Sequence, residues 1–251
     1  MICRNYGDVL VKIFETREEM GAEAADEVSQ YISTLLEEKE EINCMFAAAP
    51  SQSDFLQSLV ENTTIAWERI NAFHMDEYIG LEQGSEQSFS GFLNTAIFNR
   101  VPFKSIHLIN GKADRTSEVE RYSNLLRTYP TDIVFLGIGE NGHLAFNDPS
   151  VADFEDPALV KVVELEKACR EQQVHDLCFL SLDNVPTHAF TVTIPGLMRS
   201  KQVFCIVPTE RKATATANAL KGPISTACPA SILRTKANTR MYIDAPCASL
   251  L

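Results

Sequence analysis

The chain has 251 residues, 45% of them apolar, with 34 acidic against 22 basic side chains and a formal charge of -12. That length can bury a full core, and the apolar content lies outside the disordered range. An acidic surface repels nucleic acid and anionic membranes, no apolar stretch nears the ~20 residues of a membrane span, and an anionic ligand would need local basic groups.

In chain order, Val9 to Phe14 is expected to be a strand and Arg17 to Glu40 a long amphipathic helix, with Val28, Tyr31, Ile32, Leu35 and Leu36 on one face. Ile42 to Ala48, apolar apart from Asn43, reads as a buried strand, and Ser53 to Val60 as a helix. Ala66 to Phe73 is a strand emptying into a loop at Asp76, Ser88 to Asn99 a helix, and Ile106 to Ile109 a strand. Thr116 to Arg127 reads as a helix and Asp132 to Gly137 as a strand, and further strands are expected at Leu159 to Leu165 and Phe190 to Ile194. Gln202 to Val207 is a strand, Glu210 to Leu220 a helix, and Met241 to Asp244 the last strand. Ser150 to Pro157, acidic and closed by a proline, is the segment expected to be mobile. Alternating strands and helices define the fold class as α/β, a Rossmann-like open, mostly parallel sheet with helices on both faces, formed by one domain over residues 1–251.

Seven cysteines, an odd number without a C-x-x-C pair, argue against a disulfide framework and a zinc site. Met1 to Asp8 has no charged segment followed by an apolar one, so the expected compartment is the cytoplasm.

The most informative stretch is Gly137 to Pro149, Gly-Ile-Gly-Glu-Asn-Gly-His-Leu-Ala-Phe-Asn-Asp-Pro, which follows the apolar run Ile133 to Leu136. Open α/β sheets place ligands at the carboxyl ends of strands, so a histidine and a carboxylate beside three glycines mark chemistry here. Gly137, Gly139 and Gly142 also satisfy G-x-G-x-x-G, and Glu164 lies where a ribose-binding acid could sit. That fingerprint requires a helix to start at the third glycine. Asn147-Asp148-Pro149 is a turn signal that stops any helix there, which counts against a nicotinamide cofactor.

This loop resembles that of the glucosamine-6-phosphate deaminases, also called isomerases, whose pattern is G-x-G-x-(D/N)-G-H-(I/L)-(A/G)-F-N-(E/D)-P. A second segment, Met75-Asp76-Glu77-Tyr78-Ile79-Gly80-Leu81 followed by Ser88-Phe89, is similar to the family's M-D-E-Y-(V/I)-G-L signature. The resemblance runs from about Val9 to the C-terminus. It implies conversion of a hexosamine 6-phosphate, glucosamine or galactosamine 6-phosphate, to the ketose 6-phosphate and ammonia. No redox change occurs, so no nicotinamide cofactor is expected, and no ligand cluster with zinc or magnesium spacing appears, so no metal is expected.

At the matching positions the resemblance implies His143 for ring opening, Asp148 orienting it, and Asp76 as the base at C2, with Glu77 as competitor. Asn141 is a neutral group that positions the amino sugar or His143. His74, His107, His175 and His188 are read as structural. The family's Thr-Gly-Gly-Thr turn is replaced by Ala48-Ala49-Pro50-Ser51-Gln52-Ser53-Asp54, which has no glycine and adds an acid. Ser51, Gln52 and Ser53 at a helix start are therefore the candidate phosphate contacts, with Arg170 and Lys212 matching the family's basic ligands. The alternatives are a 6-phosphogluconolactonase-type hydrolase, whose loop reads G-x-G-x-D-G-H-T-A-S-L-F-P, and a non-catalytic sugar-phosphate-binding protein. The expected partner is a small-molecule sugar phosphate, not nucleic acid or membrane; assembly into a homo-oligomer is left open.

Overall fold

A computed structural model describes residues 1–251. The strands are β1 (Ile2–Tyr6), β2 (Val9–Phe14), β3 (Ile42–Phe46), β4 (Ile70–His74), β5 (Asp76–Tyr78), β6 (Ser105–His107), β7 (Ile133–Leu136), β8 (Val160–Glu164), β9 (His188–Val192), β10 (Gln202–Val207) and β11 (Thr239–Asp244). The helices are α1 (Arg17–Glu38), α2 (Ser53–Glu61), α3 (Phe89–Leu93), α4 (Arg115–Thr128), α5 (Lys167–His175), α6 (Ile194–Met198) and α7 (Ala213–Lys221).

Eight strands form one sheet in the order β1-β2-β11-β10-β7-β3-β4-β6. All neighbours are parallel except β1, which returns antiparallel on β2. Strands β3, β4 and β10 are buried along their whole length, because helices cover both faces of a parallel sheet and no polar face is left to alternate. One apolar cluster gathers α1 and α2 on one face, and a second gathers α4 and α7 on the other.

The helix ends follow local chemistry. Thr16 accepts a hydrogen bond from the Glu19 amide, so Thr-Arg-Glu-Glu opens α1 as a capping sequence. Gly21 lets α2 lie against α1, since a Cβ there would meet the Asp54 and Phe55 backbone at 2.9 Å. The Asp54 carboxylate is ion-paired with Arg17, whose guanidinium also reaches the Pro50 carbonyl, so this acid is neutralised.

Several expectations need correction. The expected helix Ser88 to Asn99 is α3 followed by one π-helical turn, Asn94–Phe98. Trp67–Arg69 is a 3-10 turn rather than strand. Ser150 to Pro157 is tied down: Ser150 N donates to Glu166, Val151 and Ala152 N to the Asp148 carbonyl, and Lys161 Nζ to the Val151 carbonyl. Strand β1, strand β5, helix α5 and helix α6 have no counterpart among the elements expected from the sequence. β5 pairs with β9, and β9 with β8, in a small antiparallel sheet beside the main one. No helix is long and apolar enough to cross a membrane.

The connection from β3 crosses to β4, while that from β7 crosses to β10 on the other side. β3 and β7 are neighbours, so a crevice opens beyond their carboxyl ends. The loops that follow β3, β4, β7 and β10 all reach that crevice.

Candidate active site

The crevice is a solvent-open cleft. It is lined by Ser51 after β3, Asp76 after β4, Gly137, Gly139 and His143 after β7, and Lys212 after β10. Gln172 and Gln173 of α5 complete its polar wall, and Met75, Phe89 and Phe146 form its apolar one. Thus Asp76 and His143, 67 positions apart in the numbering, face one space.

Asp76 is fixed by pairing with Thr191 in the small sheet and by the Val192 amide donating to the Met75 carbonyl at 2.7 Å. Burial, and secondarily the neighbouring Glu77, push its carboxyl well above the usual carboxylate range. A carboxylate in that state is a stronger proton acceptor than one in water.

Glu77 is spent on structure. Its Oε1 accepts the Tyr78 and Phe89 amides at 3.0 and 2.9 Å, and its Oε2 accepts the Ser90 amide at 2.8 Å. It is 1% exposed and caps the start of α3. Its oxygens are thus taken up by backbone amides, and it does not line the cleft.

The loop after β7 is curled by its own hydrogen bonds. The Gly139 amide donates to the His143 carbonyl at 3.0 Å, and the Gly142 amide to the Gly139 carbonyl at 2.9 Å. Gly142 and Ala145 take the left-handed backbone region, with φ of 85° and 48°. No helix starts at Gly142, so the three glycines serve a tight loop and not a helix entry.

Within this loop the His143 Nδ1 lies 2.8 Å from Asn141 Oδ1 and 3.1 Å from Asp148 Oδ1. Both are acceptors, so Nδ1 carries the proton and Nε2 is left as the free acceptor on the ring. Asn141 also accepts the His143 amide and donates Nδ2 to Asp148 at 3.0 Å. The second Asp148 oxygen accepts the Glu166 amide at 3.1 Å. Burial opposes ionisation of Asp148, yet the imidazole, the Asn141 amide and the Glu166 N–H together hold its carboxyl below the usual range.

Cys169 completes a cluster with His143 and Asp148 in which one donor atom from each lies within 4.8 Å of the others. Three donors of nitrogen, oxygen and sulfur type suit zinc. The sequence spacing gave no hint of this set, because Cys169 arrives on α5. His143 and Asp148 already use their facing atoms on each other.

Lys212 is 5% exposed, lines the cleft, and forms no ion pair with a carboxylate. Burial depresses its ammonium pKa, which Asp176 and Glu140 partly restore. Ser51 lies in the same cleft. Gln52 stands behind it, with Nε2 donating to the Ile206 carbonyl at 3.1 Å, and so anchors the turn to β10. Ser53 opens α2 and faces a neighbouring surface groove with Gln57 and Arg100.

Arg170 is not brought to the cleft. Its guanidinium is held by the Leu182 carbonyl at 2.7 Å and the Val185 carbonyl at 2.9 Å. Arg170 lies about 100° round the helix from Cys169, whereas Gln172 and Gln173 share the Cys169 face. Of the remaining histidines, His74 accepts the Ile109 amide at 2.7 Å and burial lowers its pKa to about 3, so it is a neutral core group.

A doubly wound sheet holding a buried carboxylate and an oriented imidazole over one crevice has the groups of an acid–base enzyme of the open α/β class. A family model described as glucosamine-6-phosphate isomerases/6-phosphogluconolactonase matches residues 15–242, and the chain belongs to that family. It is 32% identical over 212 residues to a glucosamine-6-phosphate deaminase of Listeria monocytogenes, covering 84% of this chain and 88% of that one. It is 35% identical to one of Bacillus thuringiensis over 183 residues, 72% of this chain and 68% of the relative. A solved monomeric glucosamine-6-phosphate deaminase superposes with a TM-score of 0.86 at 29% identity, covering 96% of this chain and 99% of that one. The 6-phosphogluconolactonase of Thermotoga maritima shares the fold, with a TM-score of 0.77 at 21% identity over 94% of this chain and 99% of that one.

Proposed function

We propose that the chain is a hexosamine-6-phosphate deaminase that converts glucosamine 6-phosphate, or its galactosamine counterpart, to the ketose 6-phosphate and ammonia. The observation that carries this reading is the shared cleft, with Asp76 and the Nδ1-anchored His143 on it and Lys212 beside them.

In this reading His143 Nε2 takes the proton of the O1 hydroxyl and returns one to O5, which opens the pyranose. Asp76 then removes the C2 proton, and a proton is delivered to C1, leaving an imine at C2. Water adds to that carbon and ammonia leaves. Asn141 and Asp148 hold the imidazole tautomer through the cycle. Lys212 and the Ser51 turn receive the phosphate, the ammonium supplying the local positive charge that the acidic surface lacks. A phosphorylated sugar is a charged solute that bilayers retain, which makes the cytoplasm the expected setting.

The test is ammonia release from glucosamine 6-phosphate and galactosamine 6-phosphate, run beside hydrolysis of 6-phosphogluconolactone. Ammonia from either amino sugar supports the proposal. Lactone hydrolysis alone would replace it with the hydrolase reading. Tight sugar-phosphate binding without any turnover would point to a binding protein.

A further inference from the structure

The acid–base reading makes no use of Cys169, although α5 brings its thiol to the back of the His143–Asp148 pair. His143 Nδ1 faces Asp148 Oδ1 at 3.1 Å, and one donor atom from each of the three side chains lies within 4.8 Å of the others. Bond lengths to tetrahedral zinc put neighbouring ligand atoms about 3.5 Å apart. The set therefore needs no more than ~1 Å of adjustment to close on one ion. Asp148 and Cys169 are 0% and 1% exposed, while His143 lines the cleft and marks the side from which an ion enters.

The surroundings supply an outer shell for such an ion. Asn141 Nδ2 donates to the Asp148 oxygen that faces the imidazole, at 3.0 Å, and the Glu166 amide donates to the other at 3.1 Å. Partners of this kind orient a metal-bound carboxylate. On the sulfur side, the Tyr78 hydroxyl is fully buried and has no hydrogen-bond partner. Burial first, and next a negative charge on Cys169, push the phenol pKa up, so an idle O–H donor lies within the field of that sulfur.

We propose that His143 Nδ1, Asp148 Oδ1 and Cys169 Sγ form an inhibitory site for a thiophilic divalent cation of the zinc type. The ion acts as a brake on the acid–base centre and is not a cofactor of it. The effect on catalysis rests on the proposed deaminase reading; the binding of the ion does not.

The inhibition follows from the proton count. A neutral imidazole carries one N–H, here on Nδ1. When the ion takes Nδ1, that proton goes to solvent and Nε2 gains one, so the ring stays neutral. The Cys169 thiol gives its proton to solvent, and one proton is released for each ion bound. Nε2 is then a donor without a free lone pair and cannot accept the O1 proton, so ring opening stops. Asp76 and Lys212 are not donors to the ion, so sugar phosphate still binds. Sulfur and imidazole select zinc over magnesium, which prefers oxygen ligands.

The experiment compares wild type with Cys169→Ser and Cys169→Ala, each first stripped with a chelator. The readouts are the absorption spectrum on adding Co2+, calorimetric titration with Zn2+, and ammonia release from glucosamine 6-phosphate with Zn2+ or Mg2+ present. Wild type should bind one Zn2+ per chain and show a thiolate-to-cobalt charge-transfer band. Both variants should lose that band and bind Zn2+ at least tenfold more weakly, since even an outer partner of a metal site is worth that much. Zn2+ should lower wild-type kcat tenfold or more with KM little changed, the chelator should restore it, and Mg2+ should have no effect. The variants should keep releasing ammonia in the presence of Zn2+. A wild type that binds no Zn2+, or whose cobalt complex lacks the sulfur band, overturns the inference without any variant. Zn2+ inhibition that is equal in wild type and variants overturns it as well. Absence of ammonia from metal-free wild type would instead overturn the deaminase reading, while the cobalt and calorimetric arms still decide the metal site.

Discussion

Gly139 and His143 compete for one space. A Cβ built on Gly139 would lie 2.2 Å from His143 Cε1, 2.3 Å from Nε2 and 2.4 Å from Nδ1. Gly139 is not in the left-handed backbone region, so glycine is needed here for room and not for its angles. The imidazole rests against the bare Cα while Asn141 and Asp148 hold its Nδ1. Gly139→Ala must therefore push the ring off those two acceptors. The expected outcome is a loss of kcat of about 100-fold or more with the fold retained, since displacing a catalytic group by ~1 Å costs on that order. Steady-state kinetics beside circular dichroism checks it; near-normal kcat would show that the ring position is not critical.

Asp76→Asn should abolish exchange of the C2 proton with solvent deuterium, with kcat down at least 100-fold, while the substrate still binds. Proton exchange followed by NMR reads this directly, and retained exchange would refute the choice of base. A stability effect accompanies it. The folded carboxyl has a raised pKa, so the folded state binds more protons than the unfolded one between the ordinary and the raised value. Wild-type stability consequently falls as pH rises through that window. The neutral amide escapes this cost, so Asp76→Asn should raise Tm by roughly 2–4 °C at pH 8, the response of a chain this size to about 1 kcal/mol. The gain should vanish at the acid end of the window.

Glu77→Gln separates the neighbouring acid from the chemistry. Three backbone amides converge on its two oxygens, and a glutamine must turn its NH2 group against at least one of them. A loss of about 1–3 kcal/mol is expected, read as a fall in Tm. Removing the Glu77 charge also removes one of the causes that raise the Asp76 pKa. The acid limb of kcat/KM should move to lower pH while kcat at its plateau is largely kept. A collapse of the plateau would reinstate Glu77 as a catalytic candidate.

The parts of this architecture that were legible in the sequence are those set by local pattern. The apolar runs Cys44 to Ala48 and Val203 to Val207 mark the interior parallel strands, because both of their faces are covered. The glycine and histidine pattern at 137–149 marks the loop that brings His143 to the cleft and, through Pro149, the absence of a helix there. Three things were not legible. Helix α5 carries only Ala168, Cys169 and Val174 as apolar residues, so its inward face is largely polar and left no periodic signal, although Gln172 and Gln173 stand three and four positions after Cys169. Strand β5 has three residues and depends on β9, over 100 positions later. The distinction between Asp76 and Glu77 rests on which carboxylate finds backbone amides, a contact between segments that the dipeptide itself cannot encode.

Lys212 offers a test in which affinity, pH and stability move together. Its ammonium is buried, and burial lowers its pKa from the ordinary lysine value. Its charge is therefore lost at a lower pH than that of a surface lysine. If it holds the phosphate, KM for glucosamine 6-phosphate should rise on the alkaline side before free lysine would titrate. Lys212→Met should raise KM about 10- to 100-fold at pH 7, the worth of one charged hydrogen-bonding partner, with a smaller effect on kcat. It should also flatten the alkaline rise of KM. The sign for stability is the reverse of that for binding. The folded state holds fewer protons at this group than the unfolded one, so the cost of burying the ammonium is fully present below its lowered pKa and fades as pH climbs toward the ordinary value. Methionine fills the same volume without charge, so Lys212→Met should gain Tm at pH 7 and lose that gain near pH 10. A variant with unchanged KM, or one that loses both affinity and Tm at pH 7, would mean that Lys212 braces the cleft and that the phosphate is held elsewhere.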